Sequence, residues 1–248
     1  YLNEVTGEKS KGPITLYAIT DLSDRSNVNI NLLTHLEFER VRKLVEGGMS
    51  VTAAKAQTEE EIFASFYIDG KLETFEDLNI FKDTECSAAL LALSILFQGN
   101  RSEADLVEIL DKYGNDIAED GQWDDEATKA LMADWAFETS LTMLRSRVEK
   151  WGFGEVPLFE KYTSNFWNSA YGFEECNKSI KDSVMQNQNP KSRLYGTYFI
   201  CATATNYYKD YEWRKATDFE FNTYRWKAGD DGEIKKGSVN DIKYIYDK

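Results

Sequence analysis

The sequence predicts an α+β fold: a multi-helix domain over residues 29–171, preceded by a short β segment and followed by a small β-rich module over residues 172–248. The first observation is Cys86–Phe97, a run that is apolar nearly all round. A helix of this kind belongs inside a helical domain, and its length of roughly 18 Å is too short to cross a bilayer. The second is helical spacing of apolar residues around it, and the third is a change to short aromatic runs after residue 171.

The β segment covers residues 1–28. Leu2–Val5 and Ile14–Ile19 have the composition and alternation of strands, with a polar approach to Pro13 between them. Two strands alone are marginal in water, so they need strands upstream or helices downstream to cover them. The chain opens without Met and already in strand-like sequence, and we expect this segment to be the end of a truncated upstream domain.

Five or six helices are predicted in the middle domain. Apolar residues from Leu33 to Val45 form the first stripe, which ends at Gly47-Gly48. Ser50 is placed as the N-cap of a second helix that continues to Phe66. Cys86–Phe97 follows as the central helix.

The helices after the central one are predicted from their caps and spacing. Ser102 and Asp105 resemble a capping box. One long helix is predicted from about Asp125 to Trp151, and Pro157 is well placed as the first residue of the last helix. That helix would turn its aromatic residues inward: Phe159, Tyr162 and Phe166.

Charge and residue usage exclude several classes of function. The net charge of −14 argues against nucleic acid and against an anionic membrane surface, because both require clustered Lys and Arg. Cys86, Cys176 and Cys201 lack CxxC spacing, and His35 is the one histidine, which argues against a zinc site. There is no Gly-x-Ser-x-Gly elbow and no P-loop, so no catalytic residue is proposed. We interpret His35 as a structural or surface histidine and Cys86 as a small buried hydrophobe.

Acidic residues between Asp116 and Asp125 raise the question of calcium. Their spacing does not fit an EF-hand, because Ala118 and Ala127 stand where ligands are required. A solvated acidic turn is the simpler interpretation. A calcium site of another type, here or at Asp230-Asp231, stays open, and no other cofactor is predicted.

Aromatic residues of the C-terminal part are the candidate binding residues. Exposed aromatic rings with polar neighbours stack on sugars or anchor a protein partner, whereas in a small β module they also serve as core. Both interpretations stay open for the set that we name the aromatic set: Tyr207, Tyr208, Tyr211, Trp213, Tyr224 and Trp226.

A resemblance covers most of the chain. Trp213–Glu220, Gly229–Gly237 and Tyr244–Tyr246 resemble a small repeated module of predicted surface lipoproteins of Fibrobacter, and Gly12–Leu16 with Asn29–Glu37 is similar to their helical part. The resemblance implies a cell-envelope location and a lipid anchor lost upstream of Tyr1. It implies nothing about catalysis.

The repeated module suggests how two cysteines pair. Tyr198–Cys201 aligns with Lys243–Tyr246, and one copy of the module has both Cys176 and Cys201 while the other has neither. This paired presence suggests a Cys176–Cys201 disulfide outside the cytoplasm, worth roughly 3 kcal/mol in the chain-entropy picture. Two free thiols are the alternative.

These observations favour a non-enzymatic cell-surface or secreted protein. Its helical domain would be a platform for an aromatic-rich module that contacts polysaccharides or envelope proteins. One alternative is a carbohydrate-active hydrolase with a carboxylate pair in a cleft. The other is a structural spacer without a ligand.

Overall fold

The computed structural model describes residues 1–23, 25–69, 73–172 and 186–196 with their side chains. This part contains eight α-helices: α1 Leu32–Leu36, α2 Phe38–Glu46, α3 Val51–Ser65, α4 Glu85–Gln98, α5 Glu103–Asp120, α6 Glu126–Glu138, α7 Leu141–Glu149 and α8 Glu160–Ala170. A 3₁₀ turn, Phe75–Asp77, lies between α3 and α4. The chain divides into two compact units: unit 1 is residues 1–126 and 144–163, and unit 2 is residues 127–143 and 164–248.

Helix α4 is the centre of unit 1, as the sequence predicts. Nearly all of its residues are buried, because it is apolar on every side. Thr84 begins the helix by accepting a hydrogen bond from the Ser87 backbone N–H at 3.2 Å. Near its other end, Phe97 packs within a cluster of rings whose neighbouring centroids lie 5.2–5.7 Å apart: Phe66, Phe97, Tyr113 and Trp123.

The predicted caps are confirmed. Ser50 accepts a hydrogen bond from the Ala53 N–H at 3.3 Å, and Ser102 with Asp105 forms the capping box of α5. Helices α2, α3 and α5 are further tied together by Arg40, which donates two hydrogen bonds to Glu61, at 2.8 and 2.9 Å, and two longer ones to carbonyls of α5, at 3.3 and 3.4 Å. This bidentate pair fixes the mutual position of three helices.

Two predicted helices are each divided in the structure. The first stripe forms α1 and α2, which meet at Glu37, and the long helix forms α6 and α7. The second break falls at Thr139-Ser140, where the Ser140 hydroxyl accepts a hydrogen bond from the Met143 N–H at 3.3 Å. Hydroxyl side chains that bond to nearby backbone compete with a continuous helix, so this pair begins a new one.

The last helix begins later than Pro157, at Glu160. The three aromatic residues that were expected to face inward are buried: Phe159, Tyr162 and Phe166. Apolar spacing therefore located the buried face correctly, while the proline marked the approach to the helix and not its first residue.

Beyond residue 182 the structure gives the backbone of six short strands: β1 Ser183–Gln186, β2 Tyr198–Ala202, β3 Asn206–Lys209, β4 Glu212–Lys215, β5 Asn222–Ala228 and β6 Ile234–Lys235. Strand β1 pairs with β2, β2 with β5, β5 with β6, and β3 with β4, and every pair is antiparallel. Apart from Gln186, their side chains lie outside the described residues.

The predicted α+β class is wrong. The interpretable part of the chain is helical, and among residues described with their side chains the β pairing is a single bridge between Leu2 and Lys9. The run Ile14–Ile19 forms no strand. Its Tyr17 ring instead lies against His35 and Phe38, with centroids 5.6 and 5.2 Å away. Tyr17 thus packs on the helices on one side and stays half exposed, where the sequence suggested a partner strand.

Unit 2 contains α6 and most of α8, joined by aromatic packing. The Phe137 ring meets Trp167 edge-on, with centroids 5.1 Å apart. Asp134 of α6 is completely buried and accepts hydrogen bonds from the Tyr171 hydroxyl at 2.7 Å and the Ser192 hydroxyl at 2.6 Å. This carboxylate therefore holds the loop after β1 against α6.

Candidate functional site

Four charged side chains from three segments of unit 1 meet below its surface. Lys55 of α3 forms ion pairs with Glu37, between α1 and α2, and with Glu76 of the 3₁₀ turn, the second at 3.0 Å. Glu59, one helical turn after Lys55, lies 3.8 Å from the same ammonium group. We call these four residues the Lys55 cluster.

The local sequence explains why these side chains converge. Lys55 and Glu59 are four residues apart on α3 and therefore share one face of the helix. The turn that carries Glu76 is held against the start of α1, because Asn31 donates a side-chain hydrogen bond to the Phe75 carbonyl at 2.7 Å. The Asn29 N–H donates to the Glu76 carbonyl at 3.0 Å. The fold thus places the cluster without help from a ligand.

The cluster has more negative than positive charge, and it is buried. Three carboxylates share one ammonium, and the side chains of Glu37 and Glu76 are fully inaccessible to solvent. Burial raises the pKa of Glu37 to about 8, although Lys55 acts against this change. Burial also raises the pKa of Glu59. Burial alone would lower the pKa of Lys55, but its carboxylate partners outweigh burial and raise it.

Three buried oxygens of the cluster form no hydrogen bond of acceptable geometry among the described residues. They are Oε2 of Glu37 and both oxygens of Glu76, of which Oε2 still forms the ion pair with Lys55 at 3.0 Å. An unpaired buried acceptor costs about 1–3 kcal/mol, so native proteins contain few of them. Glu76 also contributes to the wall of a cavity.

The cavity beside the Lys55 cluster has a volume of about 510 Å³. Its wall contains Lys55, Glu59 and Glu76 of the cluster and also the charged residues Asp21, Arg25 and Glu60. Threonine and apolar side chains complete it. Arg25 is already paired with Asp77 at 2.7 Å, so its charge is partly neutralised. The result is a cavity whose wall is mostly apolar by area and whose charged side chains are mainly acidic.

The binding residues and the disulfide predicted from the sequence fall in the C-terminal part of the chain. The aromatic set (Tyr207, Tyr208, Tyr211, Trp213, Tyr224 and Trp226) and the predicted pair Cys176 and Cys201 lie outside the residues described with their side chains. The disulfide and the aromatic binding face therefore stay predictions. Asp230-Asp231 also lies outside the described residues.

His35 and Cys86 are both placed in structural surroundings. The Tyr17 N–H donates to Nδ1 of His35 at 3.3 Å, and burial lowers the pKa of this imidazole. Cys86 is a buried free thiol whose sulfur accepts a hydrogen bond from the Glu73 N–H.

The acidic turn is held partly by its own backbone. Asp116 accepts a hydrogen bond from the Asp124 N–H at 2.7 Å, and Asp120 accepts one from Gln122 at 3.0 Å. Over the described residues, no group of three or more His, Cys, Asp or Glu side chains is arranged to hold a metal ion. No helix in the same part of the chain is both long and apolar enough to span a membrane.

Sequence reasoning missed the Lys55 cluster, although one signal for it was present. Lys55 lies within the apolar stripe of α3, and Glu37 interrupts the stripe of the preceding helices. A charged residue at a core position is expected to have a partner, because an isolated buried charge is strongly unfavourable. Two such residues in neighbouring helices therefore predict an ion pair.

Comparisons with family models, with curated proteins and with solved structures each find no match for the chain.

Proposed function

We propose that the chain is a non-enzymatic cell-surface or secreted binding protein and that its unit 1 holds a small polar ligand in the cavity beside the Lys55 cluster. One observation carries the proposal: the cavity has buried, preplaced charges in its wall. Ligand cavities typically measure about 300–1,000 Å³ and contain a few polar groups fixed by the fold. The volume of about 510 Å³ lies within this range.

The polar groups of the cavity are held in place by other parts of unit 1. Lys55 is fixed by its ion pair with Glu37, and Glu76 is fixed by the hydrogen bonds between its turn and the start of α1. Groups that are already in position lose little conformational freedom when a ligand binds. This preorganisation supports a binding site more than a chance surface depression.

The state of Lys55 supports binding over covalent catalysis. A nucleophilic lysine requires a lowered pKa so that its amine is free, and the pKa of Lys55 is raised. A glycoside hydrolase requires two carboxylates with separate tasks. Here Glu37 and Glu76 are both bound to one ammonium group. The hydrolase and the structural spacer stay as alternatives.

The location at the cell envelope and the lipid anchor are proposed from the resemblance of the sequence. Contact with polysaccharides or envelope proteins through the aromatic set is proposed from composition. A plant-polysaccharide pull-down with Trp213→Ala and Trp226→Ala tests this contact. Retention that both variants weaken would support it, and no retention on any polysaccharide would end the glycan form of the proposal.

The cavity is tested by filling it. Ala56 of α3 is exposed and lines the cavity, so Ala56→Trp would occupy the space without removing a charge. Ala64, which is on the same helix and is also exposed, lies outside the cavity lining and gives the matched control Ala64→Trp. The assay is thermal shift followed by calorimetry with neutral sugars, amino sugars, amino acids, diamines and dicarboxylates.

We expect at least one compound to bind with one-to-one stoichiometry. At 100 times its Kd such a ligand stabilises the fold by about 2.7 kcal/mol, which gives a clear increase in Tm. Ala56→Trp should weaken this binding at least tenfold, and Ala64→Trp should leave it unchanged. If no compound binds, or if Ala56→Trp binds as well as the unmodified chain, the proposal is wrong.

A further inference from the structure

Charges around the cavity are unbalanced in one direction. Asp21, Glu59, Glu60 and Glu76 contribute carboxylates to its wall, and Arg25 and Lys55 are the basic residues in the described lining. Both cations are already engaged with carboxylates of the chain. The described wall therefore has negative charge to spare, and a cation would be attracted to it.

We infer that the ligand of this cavity is a small organic cation with at least one ammonium group, such as a short aliphatic diamine. This inference rests on the proposed function, because it names the class of ligand that the same cavity takes. An ammonium group donates hydrogen bonds in up to three directions, which suits a wall of carboxylate and hydroxyl oxygens.

Glu76 adds negative charge behind the surface of the cavity wall. Its side chain is inaccessible to solvent, so it attracts a cation through its field and not by direct contact. A bound ammonium would be attracted by this charge, and a neutral hydroxyl would not. Glu59 is the more accessible carboxylate of the cluster, at 14% exposed, and would be met first by an entering cation.

The arrangement favours an organic cation over a metal ion. Calcium requires six to eight oxygens at about 2.3–2.6 Å around one point. In this cluster that central point is occupied by the Lys55 ammonium, which three carboxylates surround. The remaining lining also includes Val51 and Phe63, which would cover the methylene groups of an aliphatic amine.

The test compares 1,4-diaminobutane with 1,4-butanediol, a neutral compound of the same chain length, by calorimetry at pH 7.5. Calcium chloride is titrated separately. The variants are Glu59→Gln, in the cluster, and Glu60→Gln, which is exposed and has no described role in folding. Glu108→Gln removes the same charge from α5, away from the cavity, and is the matched control.

We expect the diamine to bind with one-to-one stoichiometry and at least tenfold more tightly than the diol. Glu59→Gln should weaken it at least tenfold and Glu60→Gln about threefold, while Glu108→Gln should leave it unchanged. Because Glu60→Gln leaves the buried ion pairs in place, its effect decides the question if Glu59→Gln does not fold.

The possible failures differ from one another. If the diol or a neutral sugar binds as tightly as the diamine and Ala56→Trp removes that binding, the cation inference is wrong and the proposed function stands. If calcium binds in place of the diamine, the inference is also wrong. If the diamine binds Ala56→Trp as tightly as the unmodified chain, or loses as much affinity in Glu108→Gln as in Glu59→Gln, it does not bind in the cavity and the inference is wrong. If no compound binds, both proposals fail.

Discussion

Replacing Glu37 by Gln should stabilise the protein at pH 8 and leave it nearly unchanged at pH 5. The folded chain raises the pKa of Glu37 from 4.5 to about 8, mainly through burial. The folded state therefore binds a proton that the unfolded state releases between these two values. The free energy that this proton contributes is fully present below pH 4.5 and is lost as the pH rises towards 8.

The size of the effect follows from the same two values. Each pH unit between them is worth about 1.4 kcal/mol, so ionised Glu37 would cost about 4 kcal/mol near pH 8. Gln has no proton to lose and avoids this cost. The free energy of unfolding of Glu37→Gln minus that of the unmodified chain should rise by about 1.4 kcal/mol per pH unit between pH 5 and 8.

Urea unfolding followed by circular dichroism at 222 nm measures this difference at several pH values. Glu46→Gln is the control, since it removes an exposed carboxylate from the same helix region, whose ion pair among the described residues is with Arg42. Its effect should stay within about 0.5 kcal/mol at every pH. A flat difference for Glu37→Gln, or one that falls with pH, would refute the reasoning and mean that Lys55 keeps Glu37 ionised throughout.

Two further substitutions test how each unit is held together. Gly121→Ala should lower the free energy of unfolding by about 2 kcal/mol, because φ is +84° there and a Cβ would lie 2.2 Å from the Glu61 side chain, which is fixed in an ion pair. A Tm within 1 °C of the unmodified chain would contradict this. Asp134→Asn should cost about 3 kcal/mol, since it replaces a buried carboxylate that accepts from the Tyr171 hydroxyl. Hydrogen exchange should then increase in residues 187–196. Unchanged protection of that loop would contradict the role of Asp134 in holding it against α6.

The helices could be predicted because their signals are local. The central helix is apolar along its length, and Ser50, Ser102 and Asp105 are caps that act within one turn. Breaks within a stripe were missed because the apolar residues on both sides of Glu37 and of the Thr139-Ser140 pair keep helical spacing. Hydroxyl capping at Ser140 is a local signal that apolar spacing does not contain.

The β segment was predicted wrongly for a different reason. Alternating side chains in Ile14–Ile19 show that one side of an extended chain is covered, but they do not show what covers it. In the structure the segment pairs with no strand among the described residues, and its Tyr17 ring lies on His35 and Phe38 of the helices while staying half exposed. The Lys55 cluster could not be predicted in full, since it joins three segments whose approach depends on tertiary packing.

The energetics of the cluster connect its burial to the proposed ligand. The Lys55 cluster weakens the fold, because one ammonium compensates only one of its three carboxylates. A protein with apolar side chains in the same space is often equally or more stable. Features that cost stability are expected at functional sites, where a bound ligand offsets that cost. A cation in the cavity would offset part of the cost of ionised Glu37. At pH 8 the diamine should therefore raise the Tm of the unmodified chain more than that of Glu37→Gln. Equal increases would mean that the cluster and the ligand do not interact.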